Sequence, residues 1–362
     1  MSRKKLIGIV AACIIVVIVV LVISLSGRGP AGEQMISFPD PNLETAIREA
    51  IAIPEGPIYT SDLEGLTSLF AWNIVDLTGL ECCTSLTDLH LNDNDISDIS
   101  PLTNLTNLTA LSLHDNRIID ISPLANLTSL RNLDLSSNGI TNISPLVNLT
   151  SLTELYLYWN KISDISHLAN LTRLTELRLE GNQISNISPL VKLTSLTAID
   201  LSWNQISDIS PLANLTSLKN LDLSSNEITN ISPLENLTSL TELGLGGNQI
   251  SDISALANLT SLTDLGLGGN RIIDISPLAN LTSLTELSLW GNQIMDISPL
   301  ANLTSLITLR LMDNQIIDIS PLVDNEGLSE WGEVSLTGNP LSSDSINIYI
   351  PQLEARGVNV YY

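Results

Sequence analysis

Hydrophobic and polar positions follow one fixed pattern from residue 86 onward. The unit that begins at Leu240 is representative, and it reads Leu-Thr-Glu-Leu-Gly-Leu-Gly-Gly-Asn-Gln-Ile-Ser-Asp-Ile-Ser-Ala-Leu-Ala-Asn-Leu-Thr-Ser. Leu243 and Leu245 alternate with glycine, which predicts a short strand with both leucines facing inward. Aliphatic residues from Ile250 to Leu262 then bring the chain back along the other side of a core. Each unit therefore predicts a strand, a turn and a return segment.

One asparagine marks the turn of each unit and recurs every 22 residues. Its positions are Asn94, Asn116, Asn138, Asn160, Asn182, Asn204, Asn226, Asn248, Asn270, Asn292 and Asn314. Stacked amides can satisfy turn backbone groups inside a core, because an amide both donates and accepts hydrogen bonds. One unit cannot bury its own apolar edge, so the units must stack. We therefore expect an α/β solenoid, curved, with a parallel sheet on its concave side and short helical or 3-10 returns.

A Ser-Pro pair opens most of the return segments. In Ser276-Pro277, serine is expected to cap a tight helical turn and proline to begin it. The proline is present in nine of the eleven units, and His167 and Ala255 replace it in the other two.

The repeat resembles the leucine-rich repeat family. The shared motif is LxxLxLxxNxI, as in Leu86-x-x-Leu89-x-Leu91-x-x-Asn94-x-Ile96. The 22-residue length and the segment Ile-Ser-Asp-Ile-Ser-Pro-Leu are similar to the internalin-type class of bacterial surface proteins. The resemblance covers roughly residues 62–340 and implies the solenoid fold. It says little about function, because the family is defined by its scaffold.

A cap is expected at the N-terminal end, since a solenoid end exposes core. Residues 38–59 predict a helical cap, with Asp40 as N-cap and Pro41 at the first helical position. Such a helix is similar to the one that precedes internalin-type repeats. Residues 60–85 predict a degenerate first unit in which Trp72 takes the place of the ladder asparagine.

A second cap is expected after the last repeat. The solenoid is predicted to span residues 60–340 and to end with a strand at Glu333–Leu336. Residues 341–362 then predict a C-terminal cap, with an amphipathic helix between Ser343 and Arg356 and a short final strand.

The first 25 residues predict a membrane anchor. A basic flank ends at Lys5, and Leu6–Leu25 follows without a charge. A helix of this length spans about 30 Å, which matches the apolar core of a bilayer. The basic flank favours the cytoplasmic side. We therefore expect residues 1–25 to be a cytoplasmic flank and transmembrane signal-anchor, residues 26–37 to be a linker, and the repeats to lie on the extracytoplasmic side of the cell membrane.

Three alternatives to an uncleaved anchor stay open. A cleaved signal peptide would have a shorter apolar stretch and a clearer exit site than Ser24-x-Ser26. A lipoprotein signal would modify Cys13, although the apolar run continues well beyond it. A cytosolic regulator built from similar repeats is the topological alternative, and Leu6–Leu25 argues against it.

Charge, cysteine content and the absence of catalytic motifs exclude several classes of protein. Fifteen Lys and Arg residues against 39 Asp and Glu residues give a net charge of −24. Binding to nucleic acid is excluded, because phosphate recognition needs a basic surface. Three cysteines exclude a disulfide scaffold. No nucleophile–base pair, phosphate loop or paired metal-ligand motif occurs, so we expect neither an enzyme nor a cofactor.

Candidate binding residues are those that vary between units and point outward from the sheet. Exposed aromatic residues beside an arginine are typical of binding hot spots. The first group, called the Tyr–Trp patch, comprises Tyr156, Tyr158, Trp159, Arg178, Glu180 and Trp203. The second group, called the C-terminal patch, comprises Trp290, Arg310 and Met312. Glycine-rich residues 244–247 and 266–269 predict a shallow glycine floor between the two patches.

These residues predict recognition of a protein partner, or adhesion, on the concave face. One alternative is carbohydrate binding, since Tyr and Trp also stack on sugar rings. Another is a structural scaffold of the cell envelope in which the aromatic residues are incidental.

Three further features each have two interpretations. His90 and His114 lie near Asp93 and Asp115, where exposed polar variation is favoured over a metal site. Cys83 aligns with a buried leucine, which favours a core thiol over a disulfide with Cys82. An acidic column is expected to bond to backbone in the next turn, with calcium between neighbours as the alternative. The column comprises Asp98, Asp120, Asn142, Asp164, Asn186, Asp208, Asn230, Asp252, Asp274, Asp296 and Asp318.

Overall fold

The predicted solenoid is present, and it is built on one parallel sheet. The computed structural model describes residues 33–330 and 332–362. Within them, fourteen short strands pair in the order in which they occur along the chain. These strands are β3 (Ser68–Phe70), β4 (Asp88–His90), β5 (Ala110–Ser112), β6 (Asn132–Asp134), β7 (Glu154–Tyr156), β8 (Glu176–Arg178), β9 (Ala198–Asp200), β10 (Asn220–Asp222), β11 (Glu242–Gly244), β12 (Asp264–Gly266), β13 (Glu286–Ser288), β14 (Thr308–Arg310), β15 (Glu333–Ser335) and β16 (Asn359–Tyr361).

The 22-residue period sets the register of the sheet. Leu243 in β11 lies between Leu221 and Leu265 of the neighbouring strands, which are one unit before and one unit after it in the sequence. The central residue of each of these strands is buried, whereas the first and third point outward. We call the outward surface of β3–β16, together with the turn residues that follow each strand, the open face.

The return segments are short 3-10 helices, as expected. They occupy Thr60–Leu63, Leu80–Cys82, Ser100–Leu102, Ser122–Leu124, Ser144–Asn148, Ser166–Leu168, Ser188–Lys192, Ser210–Leu212, Ser232–Leu234, Ser254–Leu256, Ser276–Leu278 and Ser298–Asn302. The next return is the short helix α2 (Ser320–Asp324), which follows α1 described below. The role expected of serine was wrong, because Ser276 is the first helical residue and Ile275 is the N-cap. Asp274 stabilises the turn by accepting hydrogen bonds from the Ser276 amide and hydroxyl.

The asparagines satisfy buried backbone groups, as predicted. Asn204 is typical: its Nδ2 donates to the carbonyl oxygens of Leu179 and Leu201, at 3.0 and 3.1 Å. Its Oδ1 accepts from the backbone N–H of Ile184 at 2.9 Å. Each buried amide thus joins its own turn to the preceding unit, which explains the fixed spacing.

A helix precedes the repeats at the position that the sequence indicates. Helix α1 (Pro41–Ile51) has Asp40 as N-cap, and Asp40 Oδ1 accepts from the Asn42 amide at 2.9 Å. Asp40 Oδ2 accepts from the Val75 amide at 2.8 Å, so the same carboxylate joins the helix to the first unit. Strand β1 (Met35–Ile36) pairs antiparallel with β2 (Ile58–Tyr59). The linker was predicted to span residues 26–37, but its last residues form β1 and therefore belong to the folded unit.

The first unit is shorter than the regular repeats. Leu69 in β3 pairs with Leu89 in β4, a step of 20 residues rather than 22. The Ile74 amide donates to Asn94 Oδ1 as the Ile96 amide donates to Asn116 Oδ1, so Ile74 is the equivalent of Ile96 and the shortened turn has no ladder residue. The assignment of Trp72 to the ladder was therefore wrong. Trp72 lies on the open face, in the position equivalent to Asn92.

The C-terminal end combines a helix and two strands. The step from Asn314 to Asn339 is 25 residues, yet Asn339 Oδ1 still accepts from the Ile316 amide at 3.0 Å. The predicted final helix begins as a π-helical turn at Ser345–Tyr349 and continues as α3 (Ile350–Ala355). Strand β16 then pairs with β15 and completes the sheet.

The predicted anchor, Leu6–Leu25, lies outside the described residues. Within residues 33–330 and 332–362, no helix has both the length and the apolar character needed to cross a bilayer.

Candidate binding face

The Tyr–Trp patch is brought together on three consecutive strands. Tyr156 in β7 pairs with Arg178 in β8, which pairs with Asp200 in β9. Trp159 and Trp203 occupy the turns after β7 and β9, and 55% and 61% of their surfaces are exposed. The sequence prediction that these residues are neighbours is therefore confirmed in the geometry of the sheet.

Both tryptophans occupy backbone conformations that bulky residues rarely adopt. Trp159 has φ 51° and Trp203 has φ 55°, in the left-handed region. The equivalent turn position holds glycine in four of the repeats, at Gly181, Gly247, Gly269 and Gly291. The backbone conformation therefore does not favour an indole at this position, and the side chain itself is the feature to explain.

The two tyrosines are half-buried and hydrogen-bonded. Tyr156 Oη donates to Glu154 Oε2 at 3.1 Å, and Tyr158 Oη lies 3.4 Å from His114 Nδ1. Burial, together with the charges of Glu176 and Glu154, raises the pKa of Tyr156. Both phenols thus stay neutral and are held in place, so they present fixed aromatic edges on the open face.

Arg178 lies among acidic side chains. Its Nε donates to Glu176 Oε1 at 3.0 Å, whereas its Nη1 lies 3.9 Å from Asp200 Oδ2. One guanidinium is thus shared between two carboxylates on neighbouring strands. Glu180, two residues after Arg178, makes no such ion pair in the described structure.

Glu180 is the carboxyl of the Tyr–Trp patch, and its surroundings perturb it strongly. Its Oε2 is buried and has no hydrogen-bond partner within the described residues. Burial raises the pKa of Glu180 to about 7, and the charges of Asp200 and Asp222 add to the rise. This carboxyl therefore changes its charge near neutral pH.

Two aspartates beside Glu180 were missed as site residues. Asp200 Oδ1 accepts from the Ser202 amide at 2.9 Å, and Asp222 Oδ1 accepts from the Ser224 amide at 2.8 Å. Burial and Asp222 raise the pKa of Asp200, which the hydrogen bonds from Ser202 oppose. The recurring Asp-Leu-Ser segment could have indicated carboxylates that are fixed by their own turn.

Two glycines make room for neighbouring indoles. A Cβ built on Gly181 would lie 2.5 Å from Cε3 of Trp159, so that indole lies against Gly181. A Cβ on Gly268 would overlap the indole of Trp290, which also reaches Gly269. The prediction of a floor without side chains was therefore wrong at Gly268 and Gly269, which Trp290 covers.

The C-terminal patch is less contiguous than the Tyr–Trp patch. Arg310 lies in β14 and Met312 follows it, whereas the indole of Trp290 leans toward β12, away from both. Trp290 is 44% exposed. Strands β10–β12 separate this patch from Trp203, a distance of about 19 Å at the usual strand spacing.

Aromatic residues at the start of the sheet were not predicted as part of the open face. The rings of Phe70 and His90 stack at 4.4 Å, with planes 3° apart. Phe70 and Trp72 are 46% and 62% exposed. Aligning Leu69-x-Ala71 with Leu89-x-Leu91 would have placed both residues on this face.

Three further features had two interpretations each: the acidic column, Cys83 and the histidines near Asp93 and Asp115. The acidic column bonds to backbone as expected; Asp252 Oδ1, for example, accepts from the Ser254 amide at 2.9 Å. Cys83 is a buried free thiol, as expected, and burial raises its pKa to about 12. Among the described residues, no group of three His, Cys, Asp or Glu side chains is placed to hold a metal ion.

A comparison with known protein families identifies the family of the repeats. The model for paired leucine-rich repeats matches residues 84–126, 128–170, 172–214, 216–258 and 260–302, which is more than half of the chain. The chain belongs to the leucine-rich repeat family. The sequence-based assignment is thus confirmed, and this leucine-rich repeat protein matches no curated protein in the comparison.

Solved structures include similar leucine-rich repeat proteins. An internalin from Listeria monocytogenes strain 4b F2365 is 39% identical, with 90% of this chain and 95% of that chain covered and a TM-score of 0.84. A leucine-rich repeat protein of Leptospira interrogans is 27% identical, with 78% and 74% covered and a TM-score of 0.72. The PEPR1–AtPEP1 structure is 26% identical, with 76% and 45% covered and a TM-score of 0.60. The repeats of this chain are therefore internalin-like.

Proposed function

We propose that this leucine-rich repeat protein is a non-catalytic binding protein that recognises a protein partner through the concave, open face of its sheet. Residues 6–25 would hold it in the cell membrane, with the repeats on the extracytoplasmic side. The mechanism is rigid display: each buried asparagine fixes its unit to the one before, so the outward side chains keep their positions before a partner arrives. Such preorganisation limits the entropy lost on binding.

The observation that carries this proposal is the position of Trp159 and Trp203. Both indoles are more than half exposed, two strands apart, at turn positions where glycine or a short polar residue would strain the backbone less. Large aromatic side chains beside an arginine supply most of the energy at many protein interfaces. Likeness to an internalin and to PEPR1–AtPEP1 supports a binding role.

A capture experiment tests the proposal. The full-length chain and its W159A/W203A variant are compared as bait for proteins from cell-surface extracts and for a glycan panel. The matched control is I273A/I317A, because these side chains are also more than half exposed and two units apart, but lie outside the open face. We expect a protein partner to be captured by the natural chain and by the control, and lost by W159A/W203A.

Other outcomes separate the alternatives. Capture of a glycan that needs both tryptophans would favour the carbohydrate-binding hypothesis, since flat indoles also stack on sugar rings. Equal capture by all three proteins would contradict the role of the Tyr–Trp patch. Protease treatment of intact cells tests the topology, and a protected repeat region would contradict export.

A further inference from the structure

The charge of the open face around Glu180 is poorly balanced. Six acidic side chains lie on β6–β10 or directly after these strands. They are Asp134, Glu154, Glu176, Glu180, Asp200 and Asp222. Arg178 is the cation that the sequence places among them, and its contacts go to Glu176 and Asp200. A region with this imbalance attracts cationic groups from a partner.

The geometry around Glu180 fits a long cationic side chain. Glu180 and Gly181 lie between Trp159 on one neighbouring unit and Trp203 on the other. The faces of indole rings attract lysine and arginine side chains, and arginine most often. The buried Oε2 of Glu180 lacks a hydrogen-bond partner within the described residues, and guanidinium or ammonium donors would supply one.

We propose that the open face between Trp159 and Trp203 receives a lysine or arginine side chain from a basic segment of the protein partner, with Glu180 as its principal carboxylate. This inference rests on the proposed function and specifies the chemistry of the partner. An uncharged sugar would leave the carboxylates without a counter-charge. A bare metal ion lacks the required ligand group, because no set of three suitable side chains is present in the described region.

The proposed contact should depend on pH. Tyr158, Arg178, Asp200 and Asp222 are the titratable groups whose interactions with Glu180 are seen in the structure. Burial and the two aspartates raise the pKa of Glu180 to about 7. If the cation binds the ionised form, binding is strongest above pH 7 and weakens as Glu180 is protonated. Between pH 8 and pH 6 the dissociation constant should rise about tenfold.

The test uses two probes and the full-length chain. One probe is a short Gly-Ser peptide with two arginines and blocked termini, and the other carries citrulline in place of each arginine. Neither peptide has a group that titrates between pH 6 and pH 8. Calorimetric titration should detect the arginine peptide at pH 8, about tenfold weaker binding at pH 6, and little or no binding of the citrulline peptide.

Two variants assign the effect to Glu180. E180Q should bind the arginine peptide at pH 8 about tenfold more weakly than the natural chain and should lose the pH dependence. D200N removes a neighbouring negative charge, so it should weaken binding and shift the pH midpoint downward. Both substitutions are nearly isosteric, and thermal unfolding followed by circular dichroism verifies that each variant is folded.

The matched control removes one charge elsewhere. D252N changes an exposed carboxylate of the acidic column, where Asn142, Asn186 and Asn230 already make the equivalent hydrogen bond. D252N should bind within about twofold of the natural chain. A loss equal to that of E180Q would show diffuse attraction to an acidic protein and overturn the proposal, as would equal binding of the citrulline peptide.

Failure of this inference is distinguishable from failure of the proposed function. If E180Q keeps the affinity and pH profile of the natural chain while W159A/W203A still loses its captured partner, the binding function stands and the cationic contact is wrong. If W159A/W203A captures the partner as well as the natural chain does, the proposed function itself fails.

Discussion

At the scale of single residues, position decides what each repeated polar side chain does. Asn204 is buried and bonds to four backbone groups of its own and the preceding unit. Asn214, ten residues later, is exposed at the end of a return segment. Asp200 and Asp252 both accept from a serine two residues on, but Asp200 lies on the sheet surface and Asp252 on the outer turn. The period of 22 predicts which residues recur, while burial determines their role.

This contrast predicts different effects for one substitution at two sites. N204A removes an acceptor for the Ile184 amide and a donor to three buried carbonyl groups, so it should lower the free energy of unfolding by about 2–4 kcal/mol. N214A should change it by less than about 0.5 kcal/mol, as is usual at exposed positions. Urea unfolding of both variants provides the measurement. Equal losses would contradict a special role of the buried asparagine.

At the scale of elements, the regular part of the fold was predictable and the irregular part was not. Strand register follows from the spacing of leucines, so Leu243 could be paired with Leu265 from sequence alone. The 20-residue step from Leu69 to Leu89 was not predicted, because the 22-residue interval of the regular units was applied to a unit that is two residues shorter. The direction of an indole was also beyond sequence reasoning, since it depends on which neighbouring unit offers space, as Gly181 does for Trp159.

Packing of indole on glycine gives a prediction about turn elements. G181A should lower the free energy of unfolding by about 1–3 kcal/mol, because its Cβ would meet Trp159. G291A is the matched control: its φ of 64° is close to the 68° of Gly181, and a Cβ there would meet ordinary contacts at 3.5 Å. G291A therefore measures only the cost of placing a side chain on a residue with positive φ. Other units bear that cost with Asp or Ser at the equivalent position.

The cause can be isolated in a double variant. In a W159A background, the effect of G181A should shrink to that of G291A, and tryptophan fluorescence should report the displaced indole in the single variant. An undiminished effect in that background would mean that the backbone conformation, rather than Trp159, requires glycine.

At the scale of the whole molecule, stability is a sum of contacts between neighbouring units. In regular units, each asparagine contacts its own unit and the one before, and each strand pairs with the strands on either side. Such an architecture gives a long surface without long-range connections. This explains why the open face and the Tyr–Trp patch could be located from sequence, while the surroundings of Glu180 needed the structure. Glu180 becomes distinctive only when its charged neighbours are assembled, because Arg178, Asp200 and Asp222 lie on three different strands.

Because stability is a sum of contacts between neighbouring units, we expect that one whole unit can be removed. Deleting residues 251–272 joins Ile250 to Ile273 and leaves every later residue at its place in the repeat. Trp290 would then lie beside Gly246 and Gly247, which match the Gly268 and Gly269 that it covers now. The shortened chain should fold, with a modestly lower unfolding midpoint and unchanged binding at Trp159 and Trp203.

Deleting residues 251–261 instead removes only a return segment, so the chain would re-enter the sheet on the wrong side and should not fold cooperatively. Circular dichroism and urea unfolding compare the two, and loss of folding in both would mean that the solenoid is stabilised by more than contacts between adjacent units.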